Sequence, residues 1–347
     1  MGKNLSIFNF KKIPRAFLLS AVIAFILELI VFSNGYLCAD KSTLCIVHKA
    51  KMLKARKSDI IILGQSRSLA INGKKLEDSL GGRYSIYNYA NPTLGTNLQY
   101  YLILKEYLQY HEKPKAILLT VPIEHIGLYE KHGIFRALGR GIEHQFLKRF
   151  CRYFNPLFMM LNVPFEEKWR SLRQYAELVM PSSNYRIFIK DRVTNKDLRK
   201  VIDRNILILE SMDASNGQML FYEDKIVSDK ELSEKLPTGK KTGSIEDKNI
   251  EKFLQLANKE KIPVLFFLMP ICKLRYEVME NLDWFNDIYA ILNRYEKKYE
   301  YFNFWQANIK YEKKYFGDWS HLNKNGADKF NNELGTFLLR SSFFNSI

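Results

Sequence analysis

The sequence predicts an α/β protein: a doubly wound sheet of five parallel strands with helices on both faces, a large, mostly helical insertion and an N-terminal transmembrane helix. Three observations carry that expectation. Short apolar runs alternate with helix-length amphipathic stretches between residues 59 and 121 and again between 245 and 340, and such β-α-β alternation makes a parallel sheet with right-handed crossovers. The first run, Asp59-Ile60-Ile61-Ile62-Leu63, goes directly into Gly64-Gln65-Ser66-Arg67-Ser68, the pattern of a buried strand ending in a sharp turn. An apolar run from Ala16 to Phe32 follows Lys3, Lys11, Lys12 and Arg15, which reads as a single membrane anchor with its basic flank in the cytoplasm and the body outside.

Composition narrows the function classes. A chain of 347 residues, 47% hydrophobic, has apolar surface for one large core or two modest ones, so wholesale disorder is excluded. The net charge of +16 favours anionic partners, namely phospholipid head groups, anionic cell-surface polymers or nucleic acid. Zinc-finger spacing, RRM signatures and helix-turn-helix signals are all missing, so nucleic acid is set aside. Four cysteines without Cys-x-x-Cys spacing argue against structural zinc. Cys38 and Cys45 either bridge outside the cytoplasm or remain free thiols.

In chain order, residues 1–15 form a basic cytoplasmic tail and 16–37 the anchor, with neither a small-x-small cleavage site nor a lipobox before Cys38. Residues 38–57 are a basic juxtamembrane linker. It either rests on anionic head groups or forms a solvated helix face. The α/β body takes 58–130 and 244–347, and the helical insertion 131–243. Within the body, strands are expected at 59–63, 85–90, 116–121, 263–269 and 301–304. Helices are expected over 71–80, stopped by Gly81-Gly82, and over 98–110, 245–260, 282–299 and 324–343. The insertion should hold helices near 143–161, 166–179 and 197–210. The first interleaves aromatic and basic residues, either as a core-packing stripe or as a surface for membrane, acyl chain or glycan. Gly239-Lys240 lacks the earlier glycine and buried strand of a phosphate loop and is discarded.

The chemistry-bearing residues fall at two places. Ser66 follows the first strand, at the carboxyl edge where open α/β sheets bind ligands, and is the candidate nucleophile. A hydroxyl needs a base to take its proton, and the base needs a third group to orient its ring. Asp318 and His321, three residues apart just before the last helix, supply both. Glu124 and His125 also end a strand, but His125 is read as a non-catalytic loop histidine.

Gly64-Gln65-Ser66 and Asp318-Trp319-Ser320-His321 together resemble the first and last sequence blocks of the SGNH (GDSL-like) hydrolase superfamily, over roughly residues 59–121 and 245–340. The resemblance implies a flavodoxin-like three-layer sandwich with Ser66 as nucleophile, His321 as base and Asp318 as its orienter. It also implies that Gly95, in the loop from Asn88 to Asn97, brings its backbone N–H to the substrate oxyanion. The family's Gly-Asp-Ser reads Gly64-Gln65-Ser66 here. Its third block, Gly-x-Asn-Asp, is replaced by Val121-Pro122-Ile123-Glu124-His125, which leaves Asn97, Asn91 or the Gln65-Ser66 backbone to complete the oxyanion hole. With an outward-facing anchor, the chain looks like the branch of alginate O-acetylation proteins and the D-alanyl transfer protein of lipoteichoic acid. Those proteins work with multispanning membrane-bound O-acyltransferases. The implied activity is acyl transfer, most simply acetyl, through an ester on Ser66 to an anionic or carbohydrate polymer of the cell envelope, with no metal or nucleotide cofactor. A membrane-tethered carbohydrate esterase and a non-catalytic SGNH-like scaffold are the alternatives.

Overall fold

Strand β1, Ile60–Leu63, is four apolar residues with no exposed surface, a burial that requires cover on both faces. The computed structural model of the chain describes residues 19, 22–23, 41–92, 97–126, 198–238, 248–341 and 343. Around β1 the sheet is completed by β2 (Ile86–Asn88), β3 (Ala116–Thr120), β4 (Val264–Phe267) and, after a short β5 (Ile271–Cys272), β6 (Phe302–Trp305). The order is β2-β1-β3-β4-β6 and every neighbouring pair is parallel. β5 pairs separately with β7 (Lys310–Tyr311).

Alternation along the strands sorts the side chains into two cores. Ile61, Leu63, Ile117, Leu119, Val264 and Phe266 face one core, which holds Tyr100, Leu104 and Tyr107 of α3 (Leu98–Tyr110), Phe253 of α6 (Lys248–Lys259) and Ile288 and Leu292 of α8 (Trp284–Lys298). Ile60, Ile62, Ala116, Leu118, Leu265 and Phe267 face the other, with Leu76 of α2 (Gly73–Ser79) and Phe330, Leu334 and Leu338 of α9 (Lys324–Arg340). The expected five-stranded, helix-covered parallel sheet is therefore present. Ser66–Ala70 forms a 3₁₀ turn before α2, and α7 (Lys273–Asn281) is a helix that the sequence reading did not separate.

Residues 48–57, expected within the basic juxtamembrane linker, are largely helical, with Lys51 and Lys57 exposed. Helix α1, Lys41–Ala55, runs through them with Leu44, Cys45, His48, Lys49 and Leu53 buried. The Tyr89 hydroxyl donates to the Met52 and Arg56 carbonyls at 3.3 and 2.9 Å, and Arg56 Nη2 donates to Asn216 Oδ1 at 2.8 Å. Cys45 is a free, buried thiol, and Cys38, its expected alternative partner, lies outside the described residues.

The expected anchor, 16–37, lies outside the described residues apart from Leu19, Val22 and Ile23, which are helical and exposed. Among the described residues no helix is long and apolar enough to cross a membrane. The expected helices at 143–161 and 166–179 also lie outside them, whereas that near 197–210 is α4, Leu198–Ala214. After α4 the chain turns at Gly217, whose φ of +94° and approach to the Asn88 carbonyl (a Cβ would come within 2.4 Å) both require glycine. It then runs along residues 218–227 toward α5, Asp229–Ser233.

Candidate active site

Ser66 leaves the carboxyl end of β1, whose neighbours β2 and β3 lie on opposite sides, which is the switch point of a doubly wound sheet. The turn that presents it is held by Ser68, whose Oγ meets Thr120 Oγ1 at 2.8 Å in a fully buried pair. Gly64 makes room for that side chain, since a Cβ there would lie 2.1 Å from Ser68 Oγ. Ser68 is thus a buried pin, while Ser66 is half-buried and open to a substrate.

Asp318 and His321 are joined as the sequence reading expected. His321 Nδ1 lies 2.7 Å from Asp318 Oδ2, and the Ser320 and His321 backbone N–H groups donate to Asp318 Oδ1 at 2.7 and 2.6 Å. Ser320 Oγ adds contacts to Asp318 Oδ1 at 3.2 Å and to His321 Nδ1 at 3.0 Å. Burial alone would raise the Asp318 carboxyl, but the His321 hydrogen bond and charge, with the two backbone donors, outweigh it and hold the pKa at about 2. The loop is closed by an antiparallel bridge between Phe316 and Leu322 and by Gly317 N–H donating to the His321 carbonyl at 2.9 Å. Asn323 then caps α9, accepting from Gly326 N–H at 3.0 Å.

Two structures tie this loop to the Ser66 turn. The first is an ion-pair cluster. Arg67, next to Ser66, and Arg275, in the first turn of α7, both donate to Glu124 Oε1, at 2.7 and 2.8 Å. The Trp319 ring lies under both guanidinium groups, 4.4 Å from that of Arg275 and 5.8 Å from that of Arg67. The second is the extended segment 218–227. Met219 N–H donates to the Leu69 carbonyl at 2.9 Å, Lys324 N–H to the Glu223 carbonyl at 3.0 Å and Val227 N–H to the Phe316 carbonyl at 2.9 Å. Between these anchors Phe221 packs on the cluster containing Leu69 and lies against the His321 ring, centroids 4.7 Å apart.

The serine and histidine loops therefore meet at one edge of the sheet, but no hydrogen bond joins Ser66 to His321 among the described residues, and His321 Nε2 is buried without a partner. Gly95 lies outside the described residues. Asn97 is buried at the start of α3, its Oδ1 3.4 Å from Gln65 Nε2, so its amide sits beside the residue preceding Ser66. Asn91 N–H donates to the Gly64 carbonyl at 3.1 Å. Glu124 is committed to the arginines. Burial would raise its carboxyl, yet the charges of Arg67 and Arg275 hold it at about 2. Sequence reasoning missed Arg67, Arg275, Trp319 and Phe221. The signals it had were the adjacency of Arg67 to Ser66 and the position of Trp319 between Asp318 and His321.

A sequence model of an uncharacterised protein family matches residues 224–342, which hold Asp318 and His321 but not Ser66. No curated protein matches the chain.

Proposed function

We propose that the chain is a membrane-anchored serine acyltransferase of SGNH type that O-acylates, most simply O-acetylates, a cell-envelope polysaccharide or related polymer through an acyl-serine intermediate. The observation that supports this reading best is the Asp318-His321 pair, bonded at 2.7 Å and fastened to the Ser66 turn through Trp319 and Arg67. Asp318 holds the proton on Nδ1, which leaves Nε2 as the basic nitrogen. Closing the Nε2 to Ser66 Oγ distance on substrate binding, as catalytic hydrogen bonds often do, lets His321 take the hydroxyl proton while Oγ attacks the donor carbonyl. The Ser66 and Gly95 N–H groups and the Asn97 amide are the candidate oxyanion donors, each worth roughly 3 kcal/mol. His321 then protonates the leaving group; it next deprotonates a polymer hydroxyl, whose oxygen attacks the acyl-serine carbonyl, and gives that proton to the departing Ser66 Oγ. Residues 16–37, built on the apolar run from Ala16 to Phe32, serve as a single-pass anchor with the N-terminus cytoplasmic, beside a multispanning acyltransferase that delivers the acyl group.

Labelling with a serine-directed fluorophosphonate tests the site. The wild-type chain is expected to label, and Ser66→Ala and His321→Ala are expected not to. Turnover that depends on a carbohydrate acceptor then supports a transferase, and acetate release to water alone makes it an esterase. The open Ser66 to His321 link favours a second reading, a non-catalytic scaffold of an envelope-polymer assembly complex. A folded wild-type chain that takes no label would decide for it.

A further inference from the structure

The Arg67-Glu124-Arg275 cluster carries more charge than it neutralises. Arg67 and Arg275 retain only 8 and 6% of their surface, and one carboxylate faces both. Also against them lie the neutral Trp319 ring, the Lys235 carbonyl, which accepts from Arg275 Nη1, and the Cys272 thiol near Arg275. Arg275 Nε is buried without an acceptor. Glu124 stays ionised at neutral pH, so the cluster keeps one net positive charge in a poorly solvated place, a costly arrangement. Its position gives the charge a use, because Arg67 follows Ser66 directly and Trp319 separates Asp318 from His321.

We infer that Arg67 and Arg275, over Trp319, form an anion subsite that takes a phosphate or carboxylate group of the substrate beside the acylated serine. A planar guanidinium with a spare donor matches the paired oxygens of either group, and the bound anion brings the cluster to neutrality. Glu124 holds the two forks in place through Oε1 and keeps 17% of its side-chain surface exposed, while its Oε2 is buried without a partner. The anion subsite stands by itself, and only its assignment to a substrate rests on the proposed acyl transfer.

Titration calorimetry of the full-length chain in detergent with inorganic phosphate and, separately, acetate tests the subsite at low ionic strength. Saturable binding is expected in the wild type and equally in Ser66→Ala, which ties the outcome to the arginines and not to the nucleophile. Arg275→Gln is expected to weaken binding about tenfold or more. Arg275→Lys, which keeps the charge and loses the fork, should fall between, and it decides the matter if the glutamine variant does not fold. Glu124→Gln, which removes the competing carboxylate, is expected to bind tighter than wild type. Preference for phosphate points to a phosphorylated polymer, and preference for acetate to one bearing carboxylates. Absence of saturable heat in the wild type, or affinity unmoved in a folded Arg275 variant, overturns the inference. Lost fluorophosphonate labelling with anion binding intact would overturn only the acyl-serine reading.

Discussion

Asp318 and Glu124 are both buried carboxylates held at about 2 by their partners, and each makes a distinct demand on pH. A folded-state pKa below the usual value means that the unfolded chain takes up the proton first as pH falls. The stabilisation is complete above the usual 3.8 or 4.5 and is lost on the way down to about 2. Glu124→Gln should therefore be less stable than wild type at pH 7, with a gap that narrows steadily below about pH 4.5. Urea denaturation at pH 7 and pH 3 measures it, and an equal gap at both pH values contradicts the ion-pair account. Asp318→Asn keeps the shape of the loop but no longer fixes the Nδ1 proton. On the proposed mechanism it should slow fluorophosphonate labelling by on the order of 10⁴-fold with little change in fold. A variant that labels at the wild-type rate would show that His321 does not act through its carboxylate.

At the scale of elements, the β1 turn and helix α1 each carry a buried polar contact that can be tested by itself. The turn depends on Ser68 packing where Gly64 has no side chain, so Gly64→Ala should cost roughly 1–3 kcal/mol or more by overpacking, and Ser68→Gly in the same chain should recover much of it. If the double variant is as unstable as the single one, the close approach of 2.1 Å is not the cause. Helix α1 buries Lys49, whose Nζ donates to the Ala90 carbonyl at 2.6 Å and whose pKa burial pulls down to about 8. The unfolded chain holds that proton up to about 10.5, so stability should rise with pH between about 8 and 10.5, by on the order of 3 kcal/mol, and Lys49→Met should lose this rise. These contacts also mark what was legible in the chain. β1, α3 and α9 announce themselves by periodicity, because their apolar residues follow the strand and helix repeats. Helix α1 does not, since Lys49, Lys51 and Lys54 mask the stripe formed by Leu44, Cys45, His48 and Leu53. Segment 218–227 has no repeat at all, and its value lies in what it touches. The Asp318-His321 bond was visible because its partners are three residues apart. The Glu124 bonds to Arg67 and Arg275 span 57 and 151 positions, a pairing that only the folded sheet brings about.

The whole molecule divides the proposed site between the two ends of the chain. Ser66 and Arg67 come from the turn after the first strand, and Arg275, Asp318 and His321 from the region matched by the family model, so the site exists only when β1, β3 and β4 stand side by side. The docking of helix α1 also bears on how far the site can lie from the proposed anchor. Helix α1 begins at Lys41 and is docked on the body, and residues 38–40 lie between it and the end of the proposed anchor, 16–37. Three residues reach at most about 11 Å, so an anchor ending there holds the body against the head groups, where a basic surface is attracted to anionic lipid. On the proposed function, acyl delivery from a membrane partner would then take place at the high effective concentration of a short tether. A flexible Gly/Ser insert of about twenty residues between Asp40 and Lys41 lets the body move some 25 Å away on average. Such an insert should leave fluorophosphonate labelling of the purified chain unchanged and lower polymer acylation in cells several-fold. Cellular acylation that survives the insert undiminished means that the acyl donor reaches Ser66 without help from a membrane-held geometry.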